Sequence, residues 1–293
     1  MSRYRFIQGE QAAYPITLLY RVLDVARAAY DAWARRGVSA RAQADADLAA
    51  PIAAAHARSR GTSGTPRVHA ALRAAGVRTS RRRVARLLRA GSLVGCHRHR
   101  RARTTVTDPA PAPALNLVAR DFAVPAPDRP WLGDSTYVPT GEGRLSLAVL
   151  LDAHSRRVIG WAMADHLRTE LALDALALAL CARRPGANLV HHTDRGCQYT
   201  AAAYREALAA RGLTASLRRS GESLDNAMAA RFFATRKAEL VDRHHWATCA
   251  AARMAIFAWI AVFHNRQRAH SALAYRPAAT FEAAMLLLHC PAA

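Results

Sequence analysis

Acidic residues are scarce in this chain: 21 Asp and Glu stand against 42 Lys and Arg, a formal net charge of +21. An imbalance of that size argues against an ordinary mixed-sign surface and points to a polyanionic partner, of which nucleic acid is the commonest. An Ala- and Arg-rich composition accounts for part of the excess but not for its clustering. Cysteine is scarce as well. Cys96, Cys181, Cys197, Cys249 and Cys290 are scattered with no C-x-x-C pair, which argues against a disulfide framework and fits a reducing cytoplasm. Long apolar runs are missing. The N-terminus has no apolar signal core, and the most apolar stretch, Leu171 to Ala182, is interrupted by Asp174, so neither secretion nor membrane insertion is expected.

What is present begins with helix-like patterning over the first ninety residues. Leu18, Leu19, Val22, Leu23, Ala26, Tyr30 and Trp33 recur at three and four, marking one amphipathic face. A second helical stretch with Leu48, Ile52 and Ala55 inward stops at G-T-S-G-T-P. Pro66 opens a short helix through Leu72, G-V-R-T-S turns the chain, and Ser80 caps a helix that turns Val84, Leu87 and Leu88 inward. That is a helix-turn-helix outline. Between Gly76 and Arg103 there are ten arginines and no acid. Solvated faces usually mix signs, so Arg81, Arg82, Arg83, Arg86 and Arg89, with Arg98, Arg100 and Arg101 in the arm beyond, are expected to contact DNA phosphates. Cys96, His97 and His99 lack a second ligand pair at finger spacing and are not read as a zinc site.

Pro109, Pro111 and Pro113 deny the next stretch helix and central strand. The expected organisation is an N-terminal helical segment over 1–45, a basic DNA-binding region over 46–103, a Pro-rich linker over 104–124 and a core over 125–285. In that core, runs near 134–138, 145–152 and 157–162 suit an antiparallel meander. A helix over 169–183, a strand over 188–192, a helix near 201–211, a strand over 214–217 and a helix after Ser223 follow. A last helix is expected at about 250–265. The order β-β-β-α-β-α-β-α is that of a ribonuclease-H-like α/β fold, with a mixed five-stranded sheet behind an all-helical region.

Phosphodiester cleavage and strand transfer call for two divalent ions held by hard carboxylate oxygens. Asp134, near the first strand, and Asp194, just past the fourth, would meet at the centre of such a sheet. Alone, each reads equally well as a turn or cap residue; the sequence around them makes the difference.

Those surroundings are Y-R-F-I, G-T-P-R-V-H-A-A-L-R-A-A-G, R-R-V-A-R-L-L, W-L-G-D-S-T-Y, L-D-A-H-S-R-R-V-I-G-W-A, H-H-T-D-R-G-C-Q-Y-T, D-N-A, F-F-A-T-R-K-A-E-L and N-R-Q-R-A-H-S-A-L-A-Y-R-P, in that order across nearly the whole chain. The sequence resembles the second-frame proteins of the insertion-sequence-three family, bacterial transposases related to retroviral integrases. The resemblance implies an integrase core with a DDE site, Mg²⁺ (or Mn²⁺) as cofactor, and cutting and joining of element ends without a covalent intermediate. It further implies DNA as partner, a homo-oligomer on that DNA, and a first-frame protein or frameshifted fusion that recognises the ends. Asp134 and Asp194 match the first two family carboxylates and would be the catalytic and metal-binding residues.

The third position fails to match. In D-N-A-x-x-E-S-F-F the glutamate position is Ala230 here, and Arg231 and Arg236 replace the usual small and apolar residues. At 100° and 1.5 Å per residue, Glu239 lies about 180° around and roughly 13 Å along the helix from Ala230. Asp225 is off the face, Asn226 shares it with a neutral amide, and Glu222 sits in a Ser-Gly loop from which it would have to swing in. Lys237 shares the Ala230 face and suits a phosphate contact. His191 and His192 read as packing residues, Trp161 and Phe232 as core, while Asn265, Arg268 and His270 suit either DNA contact or fixing of the last helix. Two readings follow: a transposase whose chemistry and metal binding are weakened by Ala230, or a non-catalytic DNA-binding protein that regulates related transposases.

Overall fold

A computed structural model describes residues 2–97, 116–118, 124–186, 189–217 and 226–289. Residues 98, 100, 101, 222 and 225, and most of the Pro-rich stretch, lie outside that set.

The N-terminal part is helical, as its patterning requires. Helices α1 (Arg3–Glu10), α2 (Ile16–Val22) and α3 (Arg27–Arg35) enclose a small core of Ile7, Leu19 and Tyr30. The single amphipathic face expected over 18–33 is in fact two helices. Asp24 takes a left-handed conformation, φ 50°, and breaks the run. Helices α4 (Ala40–Arg58), α5 (Thr65–Ala74) and α6 (Arg81–Ala90) form a second core from Leu48, Ile52, Val68, Leu72, Val84 and Leu88. Pro66 lies in the first turn of α5, where its missing N–H costs nothing. Ser80 caps α6 by accepting the Arg83 N–H at 3.2 Å.

The core is a five-stranded sheet in the order β3-β2-β1-β4-β5. Strands β1 (Pro130–Thr140), β2 (Gly143–Asp152) and β3 (Val158–Ala164) form the antiparallel meander, and β4 (Val190–Thr193) and β5 (Thr214–Leu217) add in parallel to β1. The run L-S-L-A-V-L-L in β2 is almost wholly apolar because both faces of the sheet are covered. Ala148 and Leu150 face helix α7 (Thr169–Arg183), helix α8 (Cys197–Thr200) and helix α9 (Ala202–Ala209). Leu147, Val149 and Leu151 face α10 (Ala227–Glu239) and α11 (Cys249–Phe257), packing with Phe232, Trp259 and Ile260.

Beyond α11 the helix widens into a π-helical segment over Ala258–His264. There Asn265 meets β3 as a strand would: its amide donates to the Val158 carbonyl at 2.9 Å and its oxygen accepts the Val158 N–H at 3.0 Å. A further helix, α12 (Ala278–His289), was not expected from the sequence. Glu282 on α12 is buried and accepts from Ser155 Oγ, Arg183 and Arg157. Burial opposes its charge, but these three donors outweigh it and hold the carboxyl below the usual glutamate range.

Helical part and core meet along a seam of arginines. Arg67 on α5 donates to the Ala269 carbonyl at 3.1 Å and stands 3.5 Å from Glu239. Arg60 stacks over Phe263 at 5.0 Å, and Arg243 donates to the Arg60 carbonyl at 3.0 Å.

Arg236 departs from this orderly pairing. It is 2% exposed, among the described residues its Nε and one Nη lack hydrogen-bond partners, and it lies over the Phe233 ring at 5.5 Å. Burial lowers its pKa to about 10, so it stays charged at neutral pH. Replacing an uncompensated buried cation with an apolar side chain removes a desolvation penalty. Arg236→Leu is therefore expected to stabilise the fold by about 1–3 kcal/mol, read as a higher midpoint in urea unfolding. A lower midpoint would show that the cation is compensated.

Candidate active site and nucleic-acid interface

The two aspartates are positioned by strand pairing. β1 and β4 pair in parallel through Pro130↔Val190, Trp131↔His191 and Leu132↔His192. Asp134 and Asp194 each lie two residues beyond the last pair, so they stand at the same level on adjacent strands, Asp134 still within β1 opposite Val149 of β2 and Asp194 just past the end of β4. Neighbouring strands are about 4.8 Å apart, within reach of one shared ion. Asp134 Oδ1 accepts the Ser135 N–H at 2.8 Å, and Asp194 Oδ1 accepts the Gly196 N–H at 3.0 Å. A Cβ on Gly196 would sit 3.0 Å from that same oxygen and 2.8 Å from Gln198 Oε1; here glycine permits close approach.

Tyr199 reports on the juxtaposition. Its ring is 3% exposed. Burial first, then Tyr204, Asp134 and, more weakly, Asp194 push its phenol well above the ordinary value. Both carboxylates therefore act on one hydroxyl. Tyr199 stands in the quoted H-H-T-D-R-G-C-Q-Y-T string, but nothing in its spacing singles it out as a neighbour of Asp134.

Beneath this pair lie His191 and His192. The Tyr204 hydroxyl and His191 Nε2 are 2.8 Å apart, and His192 Nδ1 and Ser216 Oγ likewise. Burial and the neighbouring His192 lower the His191 pKa to about 3, keeping it neutral. Both histidines pack beneath the site.

Helix α10 approaches the aspartates at its N-terminus. Asn226 donates to the Gly133 carbonyl at 3.2 Å, one residue before Asp134. Ala230, one turn on and on the same face, is exposed. Lys237 is half-buried two turns beyond Ala230. Glu239 is buried and accepts twice from Arg268, at 2.9 and 2.8 Å, a bidentate pair that fixes it away from the aspartates. Arg268, Asn265 and His270 are all buried among internal partners, His270 Nε2 lying 3.1 Å from the His264 carbonyl. Among the described residues no three His, Cys, Asp or Glu side chains gather around one point. Asp134 and Asp194 carry hard oxygen donors of the kind Mg²⁺ takes, and position 230 carries only a methyl group.

On α6 the arginines divide. Arg83 Nε and Arg86 Nη2 both reach Asp45 of α4, at 2.7 and 2.5 Å. The hydrogen bonds from Arg86 and Arg83 lower the Asp45 pKa. Arg81, Arg82 and Arg89 are exposed. Arg98, Arg100 and Arg101 lie outside the described residues.

A ribonuclease-H-like sheet with paired carboxylates, preceded by a basic helical unit, defines a class of DNA-processing proteins, and comparison with known proteins narrows it. Residues 124–223 and 211–277 match the integrase core domain family, and residues 42–101 match the helix-turn-helix-like domain family. The chain is 35% identical over 271 residues to the transposase InsF for insertion sequence IS3A of Escherichia coli K12, covering 92% of this chain and 94% of that one. It is 38% identical over 254 residues to an uncharacterized 31 kDa protein of insertion element IS600 from Shigella sonnei, covering 86% and 93%. It is 34% identical over 241 residues to the transposase for insertion sequence element IS904 of Lactococcus lactis, covering 80% and 93%. The chain belongs to the insertion-sequence-three family of transposases. Among the described residues no helix is long and apolar enough to cross a membrane.

The buried histidines carry a pH consequence. A folded pKa of about 3 for His191 lies below the unfolded value of about 6.5, so its stability contribution is complete above pH 6.5 and drains as pH falls towards 3. His270, lowered to about 4 chiefly by burial, acts in the same direction. Urea unfolding across pH 7 to 4 should show falling stability, with a slope from His191 approaching about 1.4 kcal/mol per pH unit. In a His191→Gln variant that slope should be shallower; an unchanged slope would place the proton uptake elsewhere.

Proposed function

We propose that this transposase-family protein binds insertion-sequence DNA and that its strand cleavage and transfer are impaired. The observation that carries the reading is Ala230: it stands one helical turn past the Asn226–Gly133 hydrogen bond, beside the strand bearing Asp134, where the family pattern has a glutamate. Asp134 and Asp194 would hold a divalent ion, which when bound polarises a phosphodiester oxygen and activates the attacking one. The protein's own part is to orient those carboxylates through the Ser135 and Gly196 N–H groups and to keep the floor neutral through His191. Glu239 is committed to Arg268 and so does not substitute for the missing ligand.

DNA contact is assigned to Arg81, Arg82 and Arg89 on the open face of α6, to the basic arm with Arg98, Arg100 and Arg101, and to Lys237 on α10. Arg83 and Arg86 serve partly to fix α6 on α4 through Asp45. Function on element ends would involve a homo-oligomer and a first-frame partner or fusion. The second reading, a DNA-binding regulator of related transposases, is favoured by the same Ala230 and differs in needing no metal.

The test is strand transfer on terminal-repeat DNA with Mg²⁺ or Mn²⁺. Loss of one outer ligand at a metal site already costs about 10- to 100-fold, so the unmodified chain is expected at least on the order of 100-fold below Ala230→Glu. Asp134→Asn should abolish the gain. Efficient, Asp134-dependent transfer by the unmodified chain would overturn the impaired reading, and no gain in Ala230→Glu would favour the regulator.

The helical unit has its own test. Arg82→Ala with Arg89→Ala should lower the slope of log affinity against log salt by about two, near 0.9 per phosphate contact. Arg83→Ala should instead lower the unfolding midpoint.

A further inference from the structure

A cleft of about 870 Å³ opens along the seam between α5, one flank of α10 and the segment after the π-helical turn. It borders Ala230 but not Asp134 or Asp194. Arg67, Arg156, Arg231 and Arg268 line it, with Glu239 as the one carboxylate among the described residues. Four guanidinium groups against one carboxylate leave three positive charges, and Glu239 is already held by Arg268 with Arg67 beside it. His264 and His270, also in the wall, are kept neutral mainly by burial.

Two of those three charges belong to Arg156 and Arg231. Arg156 occupies the turn between β2 and β3 in a left-handed conformation, φ 64°, unusual for a long side chain. The turn holds it there: its N–H donates to the Asp152 carbonyl at 2.9 Å, and its own carbonyl lies 3.1 Å from His264 Nε2. Backbone strain of this kind collects at functional sites. Among the described residues the Arg156 Nε is buried without a hydrogen-bond partner. Burial chiefly depresses the Arg156 guanidinium; Asp152 opposes this, and the like charge of Arg231 adds to it. Asp152 supplies one negative charge for the two cations, and its oxygens already accept from the Ser155 N–H and Oγ and the Asp128 N–H. Two guanidinium groups near enough to repel each other, one with an unsatisfied donor, face an open cleft that a nucleotide-sized anion would fill.

We propose that this cleft binds a backbone phosphate of DNA without a metal ion, clamped between Arg156 and Arg231. Planar guanidinium donors suit bidentate recognition of phosphate oxygens. Arg231 replaces the small residue of the family pattern and lies next to Ala230. The two changes together remove a ligand for cations and add one for anions. The proposal rests on the DNA-binding reading above and deepens it: the strand stays docked beside the aspartates when ion binding there is weak.

The experiment measures binding of the full chain to a short labelled DNA duplex in EDTA over a salt series. Wild type is compared with Arg231→Ser, Arg156→Gln and the Arg82→Ala, Arg89→Ala pair. The expected result is EDTA-resistant binding whose salt slope falls by about 0.9 in Arg231→Ser, the loss of one phosphate contact, with a several-fold weaker affinity. Arg231 is exposed on α10, so its replacement leaves the fold intact and decides the matter even if Arg156→Gln unfolds. A wild-type slope in Arg231→Ser, with a reduced slope in the Arg82, Arg89 variant, would overturn the cleft site and leave the DNA-binding reading standing. Binding that vanishes in EDTA would overturn the metal-independent clamp. No binding under any condition would overturn both.

Discussion

The parallel pairing of β1 with β4 is the constraint on which the rest of the core depends. It joins an antiparallel meander to two parallel strands at the middle of the sheet. A parallel partner for β1 requires a crossover, supplied here by the fifteen residues of α7 lying against β2 and β3. That crossover sets the register in which Asp134 and Asp194 stand at one level on adjacent strands. Gly133 shows how tightly the two strands are fitted: a Cβ there would lie 2.8 Å from the His191 ring and 2.9 Å from Thr193. The buried histidines follow from the same pairing. Strands covered on both faces bury whatever their sequences place inward, and His191 and His192 are held by Tyr204 and Ser216 in place of water.

Helix α10 is fixed independently of position 230. At one end Asn226 is bonded to the Gly133 carbonyl; at the other Glu239 is locked to Arg268, with Arg67 reaching in from the helical part. Between these anchors Ala229 and Phe232 pack against the sheet. An exposed alanine is at least as good a helix residue as glutamate, so the substitution leaves helix and core intact. The frame that presents the two aspartates therefore does not depend on the side chain at 230.

Much of this frame is legible in the sequence because local signals and tertiary packing agree. Helix α7 and strand β5 fall where their patterns put them, and Ser80 caps α6 as its position before an apolar periodic run requires. The placement of Asp134 and Asp194 on adjacent strands is legible through the strand order. Other features depend on contacts that no local pattern carries. Helix α12 follows an Ala-rich stretch with little polar contrast, and what fixes it is Glu282 meeting Ser155 and Arg157, more than a hundred residues earlier. The basic stripe of α6 reads as uniformly open until α4 brings Asp45 beneath Arg83 and Arg86. Tyr199 acquires its neighbours only once β1 and β4 pair.

Charge placement in the seam follows from the scarcity of acid in the whole chain. With half as many carboxylates as cations, each buried carboxylate is drawn into multiple donors: Asp152 by Ser155 and Asp128, Glu239 by Arg268 and Arg67, Glu282 by Ser155, Arg157 and Arg183. Few acids remain to neutralise arginines that face open space, and those beside the cleft keep their charge in a partly desolvated wall. Low local dielectric strengthens their pull on an anion and their repulsion of one another alike. A metal-binding site next to that wall needs carboxylates in excess, whereas a phosphate-binding site needs the reverse. Ala230 and Arg231 shift the balance towards the second at the point where the cleft reaches the flank of the aspartate pair.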